Sequence, residues 1–279
     1  MMSTKRINPT QQKAAQFTDN CRYLKLPLLA EEYRQMVDKA NEQTIGYFEF
    51  ISEVVRAETA STRQRRVEYL IKNSRLPLPL KMISSFDFDF QPTLDRRLIM
   101  DLASLEFMER NASVLFQGSN GAGKSHLAQS LGLIACQKEY RTYYTTLSGL
   151  IGDLNTGVYE KTLEKRMRKY INPELLVIDE MGHDRLELQV VKEAHLLFKV
   201  IDKRYNDNKP LIFTSNVEKE LWPEFLGDPI TTSAILDRIF HHSVLVEING
   251  PSYREYQGKL LQEEYGEKKK DKPSKAKAG

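Results

Sequence analysis

Apolar residues in the first part of the chain recur with helical spacing. From Leu29, the residues Tyr33, Met36, Val37 and Ala40 fall at the i, i+4, i+7, i+8 positions that line one face of a helix. Thr44 is placed to cap a second helix, with Tyr47, Phe48, Ile51, Val54 and Val55 as its buried stripe; Val67, Leu70 and Ile71 continue the spacing. The run Leu76-Pro77-Leu78-Pro79 ends it, because each proline lacks an N–H donor and pushes its predecessor to extended geometry. Residues 1–80 are therefore expected to form a small all-helical domain.

The alternation Phe86-Asp87-Phe88-Asp89-Phe90 is compatible with a short strand, and equally with an extended linker because Pro92 follows at once. Helical spacing resumes from Leu94 to Met108, and 81–111 is read as a linking segment. Beyond Asn111 short apolar strands alternate with helices: Val114 to Phe116, Thr142 to Thr145, Leu175 to Ile178, Leu211 to Phe213 and Val244 to Ile248. That alternation predicts an α/β domain over 112–262, with a central parallel sheet flanked by helices. From Glu267 the chain holds six lysines and no large apolar side chain, so 263–279 is expected to be a disordered Lys-rich tail.

Composition narrows the functional classes. With 41% hydrophobic and 28% charged residues, the 279-residue chain has the make-up of an ordinary globular protein. Its N-terminus lacks the apolar core of a secretory signal and no apolar run of membrane-spanning length occurs, which predicts a cytoplasmic protein without a membrane partner. Cys21 and Cys136 belong to no C-x-x-C or metal-spaced cluster and are read as reduced thiols. A formal charge of +3 is too small to establish a nucleic-acid partner by itself.

The chemistry begins at Gly118. Gly118-Ser119-Asn120-Gly121-Ala122-Gly123-Lys124-Ser125 matches the P-loop pattern G-x-x-x-x-G-K-[ST], between a predicted strand and a helical run. Glycines let such a loop curl so that successive N–H groups point at phosphate oxygens, and the following helix presents its positive N-terminal end. Lys124 would reach the β and γ phosphates of ATP, and Ser125 would offer a hydroxyl to Mg²⁺, which prefers hard oxygen ligands. The strand Leu175 to Ile178 ends in Asp179-Glu180, resembling a Walker B strand: Asp179 would hold the Mg²⁺ shell and Glu180 would polarise the attacking water. Thr214-Ser215-Asn216 ends the next apolar strand and is read either as a polar amide near the γ phosphate or as a simple strand-to-loop cap.

Taken together, the stretch Arg63 to Pro77, Phe86-Asp87-Phe88 before Leu94-Asp95-Arg96, GSNGAGKSHLA, LEKRMRKYINPELLVIDEMG, TSN, LDRI and GPSYR resemble an AAA+ ATPase of the initiator and helicase-loader clade. The resemblance is greatest to the IstB-type transposition helper ATPases of bacterial insertion sequences and runs from about Leu24 to Leu260. It implies a P-loop AAA+ domain, an ATPase activity, and a chain that oligomerises on duplex DNA to help a cognate transposase engage its target. It also implies that Asn216 is sensor 1, that Arg238 is an arginine finger acting on a neighbouring subunit's ATP, and that Arg254 is a sensor 2 candidate. His126 is implied to close the nucleotide motif, and Phe88, within the aromatic segment, to border the adenine. Little chain follows Arg254 to form a helical lid, and Met181-Gly182-His183-Asp184 departs from the Leu-Gly-Tyr sequence of relatives; His183 has no partner at metal-ligand spacing. The rival reading within the clade is a DnaC-like helicase loader acting on single strands, and outside it a nucleotide-gated scaffold.

Two basic sets could track a DNA backbone. Lys161, Lys165, Arg168 and Lys169 fall on one face of a predicted helix from Thr162 to Tyr170, where the resembled clade inserts a helix facing nucleic acid. The alternative is a solvated helix face. Arg63 and Arg66 belong to a second set in the helical domain, with Arg56, Arg65, Lys72 and Arg75. No base-reading motif is present, so binding would rest on phosphates and DNA shape.

Overall fold

The computed structural model describes residues 9–181, 190–226 and 228–270. The chain divides into two compact units at Tyr69 and Leu70, earlier than the expected boundary at 80. The first is helical: α1 (Pro9–Tyr23), α2 (Pro27–Gln43) and α3 (Tyr47–Asn73), the last turn of α3 lying in the second unit. Within it, the Glu58 carboxylate on α3 is buried and accepts the Leu29 amide of α2 at 2.8 Å, satisfying one of the orphan N–H groups of a helix start.

Two expectations fail here. Thr44 ends α2 in the left-handed region (φ 52°) and does not start α3. Tyr47, Phe48, Ile51 and Val55, expected to be buried, are 91, 85, 59 and 59% exposed. Helical spacing shows that residues share a face; it does not say that anything covers that face.

The second unit carries the sheet. After α4 (Arg96–Ser104) and α5 (Glu106–Glu109) come β1 (Ser113–Gly118), α6 (Lys124–Gln137), β2 (Thr142–Thr146), α7 (Leu147–Tyr159), α8 (Leu163–Ile171) and β3 (Leu175–Met181). There follow α9 (Val190–Asn206), β4 (Leu211–Ser215), α10 (Trp222–Leu226), α11 (Pro229–His241), β5 (Ser243–Ile248) and α12 (Tyr253–Lys270). All five predicted strands form. They pair in parallel in the order β2-β3-β4-β1-β5.

Both faces of the sheet are covered, which is why the central strands β1, β3 and β4 carry apolar runs, whereas the edge strands β2 and β5 are more polar or more exposed. Val114, Phe116, Val177 and Ile212 face a core with Leu127 and Leu131 of α6 and Ile99 of α4. Leu115, Leu176, Ile178 and Phe213 face another with Leu150 and Leu154 of α7, Leu197 of α9 and Ile235 of α11. The two cysteines are free and buried.

The aromatic segment 86–90 forms no strand. The helical pattern from Leu94 breaks at Leu105 (φ 66°), giving two helices, the first capped by Asp95, whose carboxylate accepts the Arg97 and Leu98 amides. Helix α12 continues through Lys270, so the expected tail overlaps its last turns at 263–270; Glu, Gln and Lys are good helix formers. Residues 271–279 lie outside the described ones. No helix among the described residues is long and apolar enough to cross a membrane.

One buried cation holds the sheet's lower edge. Arg204, at the end of α9, is fully buried, and its terminal nitrogens donate to the carbonyls of Tyr170, Ile171, Pro173, Glu174 and Pro210 at 2.7 to 3.3 Å. Burial pushes its pKa down to about 9. It ties the end of α8 to the starts of β3 and β4. Arg204→Met should destabilise the domain by roughly 3–5 kcal/mol, because the five acceptors lose their donors together. In a thermal melt that amounts to about 10 °C or more. Lysine should not rescue it, since one ammonium cannot span five carbonyls in this fork.

Candidate nucleotide site

The cleft forms where β1, β3 and β4 end, at the C-terminal edge of a parallel sheet, where open α/β sheets bind ligands. It encloses about 720 Å³. The P-loop curls between β1 and α6 through Gly121 (φ +78°) and Gly123 (φ +104°), a region side chains rarely adopt. Space excludes side chains too: a Cβ on Gly121 would lie 2.2 Å from Ser252 Oγ, and one on Gly123 2.5 Å from the Phe86 ring. The loop is thus clasped from both sides by segments distant in sequence.

Lys124 is buried, and Nζ donates to Gly118 O at 2.9 Å and Ser119 O at 2.7 Å. Burial lowers its pKa, Asp179 opposes that shift, and Arg254 adds to it. Ser125 Oγ donates to Asp179 Oδ1 at 2.9 Å. Asp179 is 1% exposed, and its carboxylate accepts further bonds that satisfy it in that buried setting: Oδ1 from the Glu180 amide at 3.1 Å and from the Thr214 hydroxyl, Oδ2 from the Tyr144 phenol at 2.6 Å. Burial raises the Tyr144 pKa, so the phenol stays a donor.

Glu180 is aimed by the backbone. The β3–β4 register gains one residue between Ile178 and Met181, a bulge, and Glu180 adopts φ 65° with its amide donating to Thr214 Oγ1 at 3.0 Å. Regular pleating would put Glu180 on the opposite face from Asp179; with the bulge Glu180 lines the cleft and is exposed there, while Asp179 stays buried behind Ser125 and Thr214. A strained non-glycine residue of this kind persists only where its surroundings hold it.

Asn216 lines the same cleft after β4: its Nδ2 donates to Asn120 Oδ1 at 3.1 Å, and its own buried Oδ1 has no partner among the described residues. His126 Nε2 lies 2.9 Å from Met82 O and its ring meets Phe86 edge-on. Burial lowers its pKa, while the bond to Met82 raises it. Arg254 lies on the cleft wall in the first turn of α12.

Phe88 is placed differently from expectation. Phe86 and Phe90 line the cleft, whereas Phe88 packs against the core, edge-on to Phe86 and with the Arg96 guanidinium 5.2 Å from its ring. The segment bends at Phe86 and Phe88 and turns through 89–90, the Gln91 amide donating to Phe88 O at 3.1 Å, and that path leaves Phe86 and Phe90 at the cleft.

Several lining residues were not anticipated. Gly250 to Tyr253 strap the P-loop: Ser119 Oγ donates to Gly250 O at 3.2 Å and the Tyr253 amide to Gly121 O at 3.0 Å. Gln91 Nε2 holds Pro251 O at 2.9 Å. GPSYR was visible as a motif, but its contact with Gly121 was not.

Arg238 lies elsewhere. Nε donates to Asp202 Oδ1 at 2.7 Å, its guanidinium stacks 4.8 Å from the Phe198 ring, and it borders a separate hollow of about 460 Å³ with Arg110, Tyr205 and His242. That hollow opens at the N-terminal ends of the strands, roughly 20 Å of β1 away from the P-loop.

The basic stripe is partly spent internally. Lys161 sits in the turn before α8 (φ 58°), not on the helix, and Lys169 pairs with Asp153 at 3.0 Å. Burial alone would raise the Asp153 pKa, but bonds from Lys169, Tyr170 and Arg166 hold it below the usual carboxylate range. Lys165 and Arg168 remain exposed on α8. Arg63 and Arg66 are exposed on α3, in the helical unit. His183 lies outside the described residues.

The family model described as IstB-like ATP binding protein matches residues 19–260. The chain belongs to this family. An insertion sequence IS5376 protein of Geobacillus stearothermophilus, described as ATP-binding, is 41% identical over 88% of this chain and 95% of its own length. An IS21 protein of Pseudomonas aeruginosa, also described as ATP-binding, is 35% identical over 83% and 85%. Among solved structures, the replication initiator DnaA bound to AMPPCP and single-stranded DNA matches with a TM-score of 0.52 at 19% identity, over 68% of this chain and 56% of that one. AMPPCP-bound DnaA from Aquifex aeolicus matches at 0.50 with 18% identity, over 69% and 57%. The IstB-like chain thus spans a little over half the length of these initiators and shares their AAA+ fold.

Proposed function

We propose that this IstB-like protein is an ATPase that assembles on duplex DNA in its ATP-bound state and helps a partner transposase engage target DNA, with hydrolysis resetting the assembly. The observation that carries the enzymatic part is the convergence of Lys124, Ser125 and Glu180 on one cleft below the P-loop, with Asp179 held directly behind Ser125. The insertion-sequence context of the relatives supports the transposition role.

In this reading the phosphates of ATP lie on the P-loop amides, and Lys124 exchanges its two carbonyl acceptors for phosphate oxygens. Phe86 and Phe90 give apolar surface to the base. The Ser125 hydroxyl and Asp179 carboxylate, already in contact, form the hard-oxygen pair that suits Mg²⁺, which when bound neutralises charge on the phosphates. Glu180 orients water and takes its proton as the bond to the γ phosphoryl group breaks, giving ADP and phosphate. The Oδ1 of Asn216, without a partner among the described residues, is an acceptor available to the same water. Arg254 adds positive charge beside the phosphates. Arg238, far from its own cleft, serves a neighbour's.

DNA contact is assigned to Lys165 and Arg168 of α8 with Lys161 in the turn before it, and to Arg63 and Arg66 of α3; Lys169 contributes less because Asp153 neutralises it. The test is binding to labelled duplex and single-stranded DNA of random sequence, with ATP and then ADP, while particle size is followed. Large ATP-dependent complexes on duplex are expected. Charge reversal at both Lys165 and Arg168 should flatten the dependence of log K on log salt by about one to two units per protomer footprint. Preference for single strands would point to a helicase loader, and indifference to nucleotide to a scaffold.

A further inference from the structure

We propose that Tyr144, on β2, is a positioning residue for Asp179 that sets how strongly Mg²⁺ couples to nucleotide binding; the proposal rests on the ATPase reading above. Tyr144 pairs with Val177 in the β2–β3 register, so its side chain shares a sheet face with Val177 and, two residues on, with Asp179. It runs below α6 through the apolar core, nearly buried, and its phenol ends 2.6 Å from Asp179 Oδ2.

The carboxylate is thereby divided between two tasks. Oδ1 faces Ser125, with the Thr214 hydroxyl and the Glu180 amide on the same oxygen. Oδ2 has Tyr144 as its hydrogen-bond donor. A carboxylate free to rotate about its terminal torsion could offer either oxygen, or both, to a cation. Fixing Oδ2 from behind leaves one oxygen in one orientation beside the Ser125 hydroxyl, the arrangement that a small ion demanding near-octahedral geometry requires. Residues that orient a metal ligand commonly change metal affinity 10–100-fold when removed. Phenylalanine would fill the same core volume, so the hydroxyl is what the proposal concerns.

The test measures binding of a fluorescent ATP analogue to the full chain while Mg²⁺ is titrated. In Tyr144→Phe, affinity in EDTA should match wild type, and the Mg²⁺ midpoint should rise roughly 10-fold. Turnover at saturating Mg²⁺ should return to within about two-fold of wild type, since the missing bond acts on metal occupancy. Tyr143→Phe removes a hydroxyl from the next residue, whose ring packs on Tyr170 in the opposite core, and should leave the midpoint alone. A folded Tyr144→Phe with an unmoved midpoint overturns the proposal, and so does an equal loss of affinity in EDTA, which marks a role in packing only. If wild-type binding itself ignores Mg²⁺, the ATPase reading beneath the proposal fails first.

Discussion

Glu180→Gln is expected to bind ATP as wild type does and to lose turnover by roughly 10²–10⁴-fold, the range for removing a positioned general base. The substitution is nearly isosteric, and what aims residue 180 is its backbone: the bulge, the φ of 65°, and the amide held by Asp179 and Thr214. None of these involves the side chain, so glutamine should occupy the same place and lack only the proton acceptor. Phosphate release and fluorescent-nucleotide binding, measured on one preparation, separate the two effects. With hydrolysis blocked, the DNA-bound assembly should also persist longer. Normal turnover in this variant would remove Glu180 from the mechanism.

Much of this site was legible because its parts are local in sequence. A P-loop is one uninterrupted octapeptide, and a strand ending in Asp179-Glu180 announces itself by hydrophobicity followed by charge. The central strands were readable for a related reason: a sheet buried on both faces needs apolar runs whatever its neighbours are, while the edge strands β2 and β5 were readable from their β-branched and aromatic residues. What could not be read depends on juxtaposition. Tyr144 looks like any strand tyrosine until the register sets it two residues below Asp179. Arg204 looks like a surface charge at a helix end, and only the meeting of α8, β3 and β4 supplies its five acceptors. The same limit explains the errors. Phe88 and its neighbours are chemically alike, so which of them faces the cleft is a matter of backbone path, and the apolar stripe of α3 had the right spacing but no cover. Lys169 counted as free charge because Asp153 lies on another helix.

Arg238→Ala should leave nucleotide binding unchanged and reduce turnover by roughly 10³-fold or more, as expected when a guanidinium acting in trans is removed. The competing account is that Arg238 serves only its ion pair with Asp202. Magnitudes separate the two. Both partners are partly exposed, at 25% and 32%, and a pair of that kind contributes no more than about 1 kcal/mol. Its loss cannot explain a thousand-fold fall in rate, and its weakness means that the contact with Asp202 would yield readily to a neighbour's phosphates. Position argues against a role in its own site, since Arg238 borders the hollow at the opposite end of the strands from its own P-loop; under the proposal it would act on a neighbour's. Mixing gives the decisive form of the experiment. Arg238→Ala retains Glu180, and Glu180→Gln retains Arg238, so each variant alone is inactive. In a mixed assembly with head-to-tail interfaces, about one site in four combines an intact Glu180 with a neighbour's Arg238. Turnover should reappear at about that fraction of wild type, and only at concentrations where the protein assembles. Two variants that stay inactive when mixed, in assemblies shown to contain both, would confine Arg238 to its own subunit.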